Sequence, residues 1–438
     1  MAEVLGMPKE LTRRILFTLG MLAIYRVGVH IPVPGVNIVA LQQFMENLRG
    51  TAFGLFNVFT GGAFEKFSIL ALGVMPYISS SIIMQLLTVS WPYLAELKKE
   101  GEAGNKKITQ FTRYGTVLLC IVQGYAISTW LSSGSGGVQV VMNPGLGFTI
   151  MTIVTLTTGT IFLMWLGEQM TEKGIGNGIS LLIFAGIVSG LPGSMATVFK
   201  LWRTGEMPIF KVALLFFVVL VVFYIIIFVE RGNRRVPVQY AKRVVGRKVY
   251  GGQNTHIPLK VNTAGVIPPI FASSLIMFPS TIAQFFPNQY VKNFATWFQP
   301  GALIYNLLFV GGIMFFCFFY TAIVFKTDDV ADNLKKYGGF IPGIRPGTAT
   351  AEYIDYVLTR ITTGGALYIS LVCVLPTFLI DRLNVPPNVA GLFGGTSVLI
   401  MVGVALDTVA QIQTHMISKN YDSFKKHTRV KGRREAYS

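Results

Sequence analysis

The sequence predicts an all-α polytopic membrane protein with ten transmembrane helices arranged as two inverted five-helix halves. Three observations carry that prediction. Hydrophobic residues make up 52% of the chain and charged ones 13%, with a mean hydropathy of +0.56. A soluble domain of 438 residues could not hide that much apolar surface. Basic charge gathers in alternate connecting segments. Two stretches about 190 residues apart also echo each other: residues 73–78 read GVMPYI and residues 265–270 read GVIPPI.

Taken in order, apolar segments long enough to cross lie near 15–34, 68–90, 111–131, 147–167, 179–198, 208–229, 263–286, 303–325, 364–380 and 389–416, each near the ~20 residues a bilayer core requires. The apolar piece at 53–65 is too short to cross and reads as a re-entrant or interfacial helix. No small-residue cleavage site closes the first span, so no cleavable signal peptide is expected.

Net charge is +17, from 37 Lys and Arg against 20 Asp and Glu. With the N-terminus placed in the cytoplasm, most of the basic residues fall on cytoplasmic segments, and the external loop 132–146 has no charge. The positive-inside bias puts both termini in the cytoplasm. The surplus also suits anionic lipid or an acidic partner. Cys120, Cys317 and Cys373 fall in separate spans at unrelated spacings, which supports neither a disulfide nor a zinc site.

The spans divide into an N-terminal half, 1–207, and a C-terminal half, 208–438. Five is odd, so the second half enters the membrane from the opposite side. Gly73 then aligns with Gly265, Val74 with Val266, Pro76 with Pro268 and Ile78 with Ile270; Ser79-Ser80-Ser81 corresponds to Ala272-Ser273-Ser274. A Gly/Pro break frees backbone groups that lipid cannot satisfy, so it survives only facing protein or an aqueous cavity. Its recurrence in two halves points to a pore or binding site between them. The halves are joined by the basic segment 230–262, with eight Lys/Arg and one acid, whose alternation around RRVPVQYA and RKVYG predicts a short β-hairpin. A second large loop, 326–360, carries DDVADNLKKYGG and the turn-rich FIPGIRPG, and the tail 417–438 is basic and polar.

Chemistry is sparse. No G-x-x-x-x-G-K-[ST] occurs, and GIGNG at 174–178 has no preceding strand, so it reads as a tight cytoplasmic turn and not as a phosphate cradle. His30, His256, His415 and His427 are scattered without a metal or acid–base motif. Neither catalysis nor a cofactor or metal is expected. Ionisable residues inside spans are few: Arg26, His30 and Asp407. Arg26 falls about 16 Å into the 15–34 span at ~1.5 Å per residue, near the midplane, with a functional role and a buried partner both open. The broken helices present Val, Ile, Ser and Ala, which suits a wide, chemically indifferent passage. A secondary solute transporter with the same inverted-repeat logic is one alternative, and a membrane insertase or scaffold that never opens a full pore is another.

Several blocks narrow the choice. SILALGVMPYISSSIIMQLL (68–87), LKKEGEAGNKKITQFTRYGT (97–116), LGEQMTEKGIGNGISLLIFAGIV (166–188), FVERGNRRVPVQYAKR (228–243), THIPLKVNTAGVIPPIFASS (255–274), ADNLKKYGGFIPGIRPG (331–347) and GGTSVLI (394–400) resemble, in order, the SecY family of bacterial protein-translocation channels. The loops 279–302 and 381–393 match least.

That resemblance implies a clamshell of two halves around a central pore, hinged at the loop between spans 5 and 6 and embraced by SecE. It implies a passive protein-conducting channel and no enzyme. The channel would pass unfolded secretory polypeptides across the bacterial plasma membrane and release transmembrane segments sideways into it. An aliphatic pore ring falls on Val74, Ile78, Ile179, Ile183, Ile270 and Ile400. A plug helix falls on 53–66, with Phe53, Phe56, Asn57, Phe59, Gly61, Gly62 and Phe64 as its characteristic residues. A lateral gate falls on Ser79, Ser80, Gln85, Ser274 and Phe278, where small and hydroxyl side chains allow close but weak helix contact. Lys242, Arg243, Arg247, Lys248 and Arg345 match the docking positions for the SecA motor ATPase or the ribosome. The implied partners are SecE and SecG, SecA, the ribosome, signal sequences and nascent or unfolded polypeptides, and anionic lipids, with SecDF and YidC as further associates.

Overall fold

Long apolar helices dominate the computed structural model, which describes residues 9–46, 57–132, 140–240, 243–245, 248–250, 254–285, 302–383 and 385–427. The chain forms two compact units. The first takes in the described residues up to Leu191 and those from Ile400 onward; the second takes in the described residues of Pro192–Leu399.

In the first unit, α1 (Lys9–Gly28) and α2 (Ile38–Glu46) precede an irregular stretch over 57–74. Then come α3 (Met75–Ser90), α4 (Pro92–Lys99), α5 (Glu102–Ser132), α6 (Leu146–Lys173) and α7 (Gly178–Arg203), the last passing into the second unit at Pro192. The expected span from residue 68 begins as helix only at Met75, because Gly73 sits at φ 58°. At the other end of α3, Pro92 excludes a helical conformation for Trp91, which is extended at φ −106° and ψ 115°. The helix pair α3–α4 is therefore bent by 96°. α4 buries Leu94 and Leu97 and exposes Lys98 and Lys99. α5 and α6 approach closely at Gly124, where a Cβ would lie 3.3 Å from Ile153 Cα. They are also joined by a forked ion pair, Arg113 donating to both oxygens of Glu168 at 2.7–3.0 Å.

The expected plug helix over 53–66 is corrected in part. Phe53 and Phe56 lie outside the described residues, 57–59 are helical, and 60–67 are turns. Gly61 (φ 65°), Gly62 (φ 85°) and Phe67 (φ 42°) all take left-handed conformations that no helix continues.

The second unit opens with α8 (Ile209–Glu230), followed by β1 (Asn233–Tyr240), β2 (Arg243–Val245), β3 (Lys248–Tyr250) and β4 (Asn254–Lys260). The expected hairpin has a different register: β1 pairs antiparallel with β4 from Asn233↔Lys260 to Gln239↔Asn254, while β2 and β3 form their own ladder. Then follow α9 (Ile267–Phe285), α10 (Leu303–Val324), α11 (Thr327–Lys336), β5 (Gly339–Phe340), α12 (Thr348–Leu383) and α13 (Pro387–Phe393). α14 (Thr396–His427) passes from this unit into the first at Ile400.

Strand β1 lies between β4 and β5. Its inward Val236 and Val238 pack with Leu259, Leu334, Ile341, Ile354 and Leu358 into a small core of its own. The loop 326–360 is thus largely ordered structure. α12 starts 16 residues before the expected span at 364, reaching about 54 Å at ~1.5 Å per residue. Its first turns belong to that small core and only its later turns to the membrane.

Among the described residues seven helices are long and apolar enough to cross a membrane, and the α3–α4 pair makes an eighth. α1 has the length but carries Lys9, Glu10, Arg13, Arg14 and Arg26, and α9 contributes a shorter apolar stretch, Ile267–Ile276. Each of the ten expected spans therefore contains a helix. Cys120, Cys317 and Cys373 are all free and buried, in α5, α10 and α12.

Candidate functional site

The two Gly-Val-x-Pro breaks share one backbone device. Gly73 and Gly265 sit at φ 58° and 63°, a conformation that costs a residue with a Cβ roughly 1–2 kcal/mol. Each helix opens two residues later, at Met75 and at Ile267, and places Pro76 or Pro268 in its second position. A missing N–H is no loss there, because first-turn amides have no intrahelical acceptor.

Segment 57–67 seats on the first break. A Cβ at Gly73 would lie 2.9 Å from Thr60 Cγ2. The segment is braced internally: Asn57 Nδ2 donates to Glu65 Oε2 at 2.9 Å, Glu65 N to Asn57 Oδ1 at 3.0 Å, and Gly62 N to Asn57 O at 3.0 Å. Phe59 and Phe64 are buried, and Asn57, Gly61 and Gly62 are half-buried. Two neighbours on α1 reach its backbone. Tyr25 OH donates to Thr60 O at 3.1 Å, and Arg26 Nη1 donates to Gly61 O at 3.0 Å and to Ser189 Oγ of α7 at 2.8 Å. Ser189 Oγ in turn donates to Gly186 O at 2.6 Å. Gly186 is the floor beneath: a Cβ at Gly61 would lie 2.6 Å from Gly186 Cα. Arg26 is two residues from the end of α1, which closes at Gly28 and not near residue 34.

The second break is held differently. Asn262 Nδ2 donates to Glu230 Oε1 at 2.6 Å and to Gly265 O at 3.1 Å. Asn262 is 6% exposed. Next to it Val261 N donates to Gly232 O at 3.0 Å. The end of α8, the base of the β1–β4 ribbon and the start of α9 are therefore tied at one point.

Of the aliphatic residues, Val74, Ile78, Ile183 and Ile400 are buried in the first unit, where Ile179 is half-buried against α6 at Gly167; Ile270 is buried in the second unit. Along the helices following the breaks, Ser79 is half-buried and Ser80 is buried, donating to Thr112 O of α5 at 2.8 Å. Gln85 Nε2 reaches Ser81 Oγ at 3.4 Å. In α9, Ser273 and Ser274 both donate to Ile270 O, at 2.9 and 2.8 Å. Phe278 lies in α9, with its side chain outside the described residues.

Among the basic candidates, Arg243 and Lys248 sit in β2 and β3, where Val245 faces Lys248 across the ladder; Lys242 and Arg247 lie outside the described residues. Arg345 is exposed in a turn bounded by Gly343 (φ 82°) and Gly347 (φ 111°). Its carbonyl accepts from Thr350 Oγ1 at 2.9 Å, which fixes the turn to the start of α12.

The glycine-rich turn at 174–178 has its amides engaged. Ile175 N donates to Thr18 Oγ1, Gly176 N to Gln411 Oε1 and Gly178 N to Thr171 Oγ1, at 2.8–3.1 Å. Donors so committed have nothing left for a phosphate. Tyr25, Ser189, Glu230, Asn262 and Gln411 did not stand out in the sequence. The one available signal was an Asn three residues before a Gly-Val-x-Pro break, since Asn favours turns.

Comparison with known proteins identifies the family and the fold. The SecY family profile matches residues 68–409. The chain is 52% identical over 427 residues to the protein translocase subunit SecY of Escherichia coli strain K12, covering 97% of this chain and 96% of that one. Two solved structures share the fold over 93% of both chains. One, with a TM-score of 0.63 and 18% identity, is a SecY protein whose plug domain stabilises the closed state of the translocation channel and maintains a membrane seal. The other, with a TM-score of 0.61 and 15% identity, is Sec61 in the canine ribosome–channel complex from the endoplasmic reticulum. With the profile matching most of its length and half its residues identical to a bacterial relative, the chain belongs to the SecY family.

Proposed function

We propose that this chain is the protein-conducting subunit of a bacterial translocon, passing unfolded polypeptide through a pore and releasing apolar segments sideways into lipid. The observation that carries the reading is the twin Gly-Val-x-Pro break, with the braced segment 57–67 seated on the first of the pair. Such breaks belong at a functional site between repeats. We assign the pore ring to Val74, Ile78, Ile179, Ile183, Ile270 and Ile400, the halves to 1–207 and 208–438, and the plug to the region of 53–66. An apolar constriction holds back ions by dewetting and offers a passing chain no fixed ligand. The helices that follow the breaks, α3 and α9, form the lateral gate, with Ser79, Ser80, Gln85, Ser274 and Phe278 along the seam.

The chain carries no nucleotide-binding motif, so the energy for transport comes from a partner. The β1–β4 ribbon region with Lys242, Arg243, Arg247 and Lys248, together with the Arg345 turn, supplies docking for the ribosome or the SecA ATPase. SecE and SecG complete the complex, SecDF and YidC associate with it, and both termini lie in the cytoplasm at the plasma membrane.

Reconstitution tests this reading. Vesicles containing the chain with its small partners should take up a secretory precursor when SecA and ATP are added. Arg345→Glu should cut that uptake at least tenfold, since like charges facing each other at an interface cost several kcal/mol. The stability of the complex should stay within about 0.5 kcal/mol, as expected for an exposed surface change. Uptake unchanged by the reversal would remove Arg345 from the docking surface.

A further inference from the structure

We infer that Tyr25, Arg26 and Ser189 form a release latch for the segment 57–67, and that Arg26 is the positioning residue that sets how readily the segment leaves its seat. The inference rests on the plug reading above and adds what holds the plug and where it turns.

Three features make the segment a cap that moves as one body. Its ends are braced through Asn57 and Glu65. Its far side is anchored: Val33 N donates to Phe67 O at 2.9 Å, and Ile69 N to Ile31 O at 2.9 Å. At that anchor sits Phe67 at φ 42°, the one non-glycine residue with positive φ among the described residues, and it is fully buried. A bulky residue there is a conformational outlier that its surroundings must hold in place. The anchor at 67–69 is therefore a strained pivot, and the contact at Thr60–Gly61 is the opposite, releasable edge.

The chemistry of that edge suits release. Thr60 O and Gly61 O lie in turns, and neither belongs to a helix ladder. Adjacent residues of α1 bond to both: Arg26 donates to Gly61 O, and Tyr25 donates to Thr60 O, which also accepts from Ala63 N at 3.3 Å. A guanidinium carries five N–H groups, so Arg26 can let go of Gly61 O and keep Ser189 Oγ as a partner. The latch opens without stranding its own charge. The glycine pair Gly61 and Gly186 gives the seat its fit: a Cβ on Gly61 would lie 2.6 Å from Gly186 Cα, and one on Gly186 would fit tightly, 3.1 Å from Phe59 O and 3.2 Å from Gly61 N.

The test uses the full complex in planar bilayers, reading resting conductance for Arg26→Lys, Arg26→Met, Tyr25→Phe, a deletion of 57–65, and Arg26→Met combined with that deletion. A second reading is the labelling rate of Ala63→Cys, a buried position, by a membrane-impermeant maleimide. Loss of the charge-assisted hydrogen bond to Gly61 O should raise labelling about tenfold in Arg26→Met, loss of the neutral one to Thr60 O a few-fold in Tyr25→Phe, and Arg26→Lys, which keeps a donor, should raise it less. Resting conductance should follow the same order. In the deletion background Arg26→Met should add nothing. If the deletion leaks and neither Arg26→Met nor Tyr25→Phe changes labelling or conductance, the latch is wrong and the plug assignment stands. If the deletion leaves conductance at the parental level, the plug assignment itself falls. If Arg26→Met adds its full effect on top of the deletion, Arg26 acts elsewhere. Should Arg26→Met fail to assemble, Tyr25→Phe, which removes one hydroxyl, decides the same question through the labelling rate.

Discussion

The segments 73–78 and 265–270 have nearly the same sequence and the same backbone, yet they are restrained by different parts of the molecule. The first turn lies against another segment's side chain, Thr60, and its helix is bonded sideways to α5 through Ser80. The second has open space at Gly265, where no atom lies within 4 Å of an added Cβ. It is held through its carbonyl by Asn262, itself bonded to Glu230, and Ser273 and Ser274 bond within α9. A repeat has kept its local geometry while its two copies acquired separate controls: one copy answers to the 57–67 cap, the other to the base of the β1–β4 ribbon. On the docking role proposed for the ribbon, a pull on it would reach α9 through one amide side chain.

The largest test of that contrast is the glycines themselves. Gly265→Ala should cost only the left-handed penalty, about 1–2 kcal/mol. Gly73→Ala should cost about 3 kcal/mol, because the new methyl also meets Thr60 and overpacking adds 1–3 kcal/mol. Thermal unfolding of the purified complex measures both. Thr60→Ser, which removes the opposing methyl, should recover the excess in Gly73→Ala and do nothing for Gly265→Ala. Equal costs at the two glycines would mean that the cap does not lean on the first turn.

Next in size is the Asn262 tie. Asn262→Ala removes two bonds, one to a carboxylate, and should destabilise by about 2–3 kcal/mol. It should also uncouple α9 from the ribbon, so that export of precursors with weakened signal sequences rises while uptake per bound motor falls. Asn262→Leu, which fills the volume without the amide, should do the same. A pure stability loss with unchanged export selectivity would reduce this tie to packing.

The smallest effects separate the two sets of serines. Ser80→Ala breaks a bond to a different helix and should cost about 1 kcal/mol. Ser274→Ala breaks a bond within its own helix, where the backbone acceptor is already used, and should stay within about 0.5 kcal/mol. Chemical denaturation of the two variants side by side measures the difference, and the reverse order would place the tighter helix attachment on α9.

The repeat could be read from the sequence because its cause is local. Gly followed three residues later by Pro dictates a left-handed residue and then a helix start, and both copies show it, at Gly73 and Gly265. The spans could be read for a similar reason, since hydropathy reports length and composition directly. The helix ends could not. Apolar residues continue through Ile69–Leu72, where turns replace the helix, and α12 runs 16 residues below its apolar part as one wall of a small amphipathic core. The register of the ribbon escaped because RKVYG and NTHIPLK offer β1 comparable alternation, and only the packing of Leu259 against Val236 and Val238 favours the latter. The partners of Arg26 escaped for a deeper reason. A cation in an apolar span announces itself, but its acceptors are the carbonyl of Gly61 and the hydroxyl of Ser189, and neither leaves a charge pattern to find.

The three buried thiols have a consequence for where such a channel can work. On the reading proposed above, cargo leaves a reducing compartment for an oxidising one, where disulfides can form. A reactive thiol along that route could trap a passing cysteine as a mixed disulfide. Cys120, Cys317 and Cys373 are 0%, 1% and 7% exposed, each inside a helix within its unit's packing. Thiol exchange needs an accessible sulfur, and burial removes the access. The conduit is therefore redox-silent: it can hand cysteine-rich chains from one compartment to the other without joining in their chemistry.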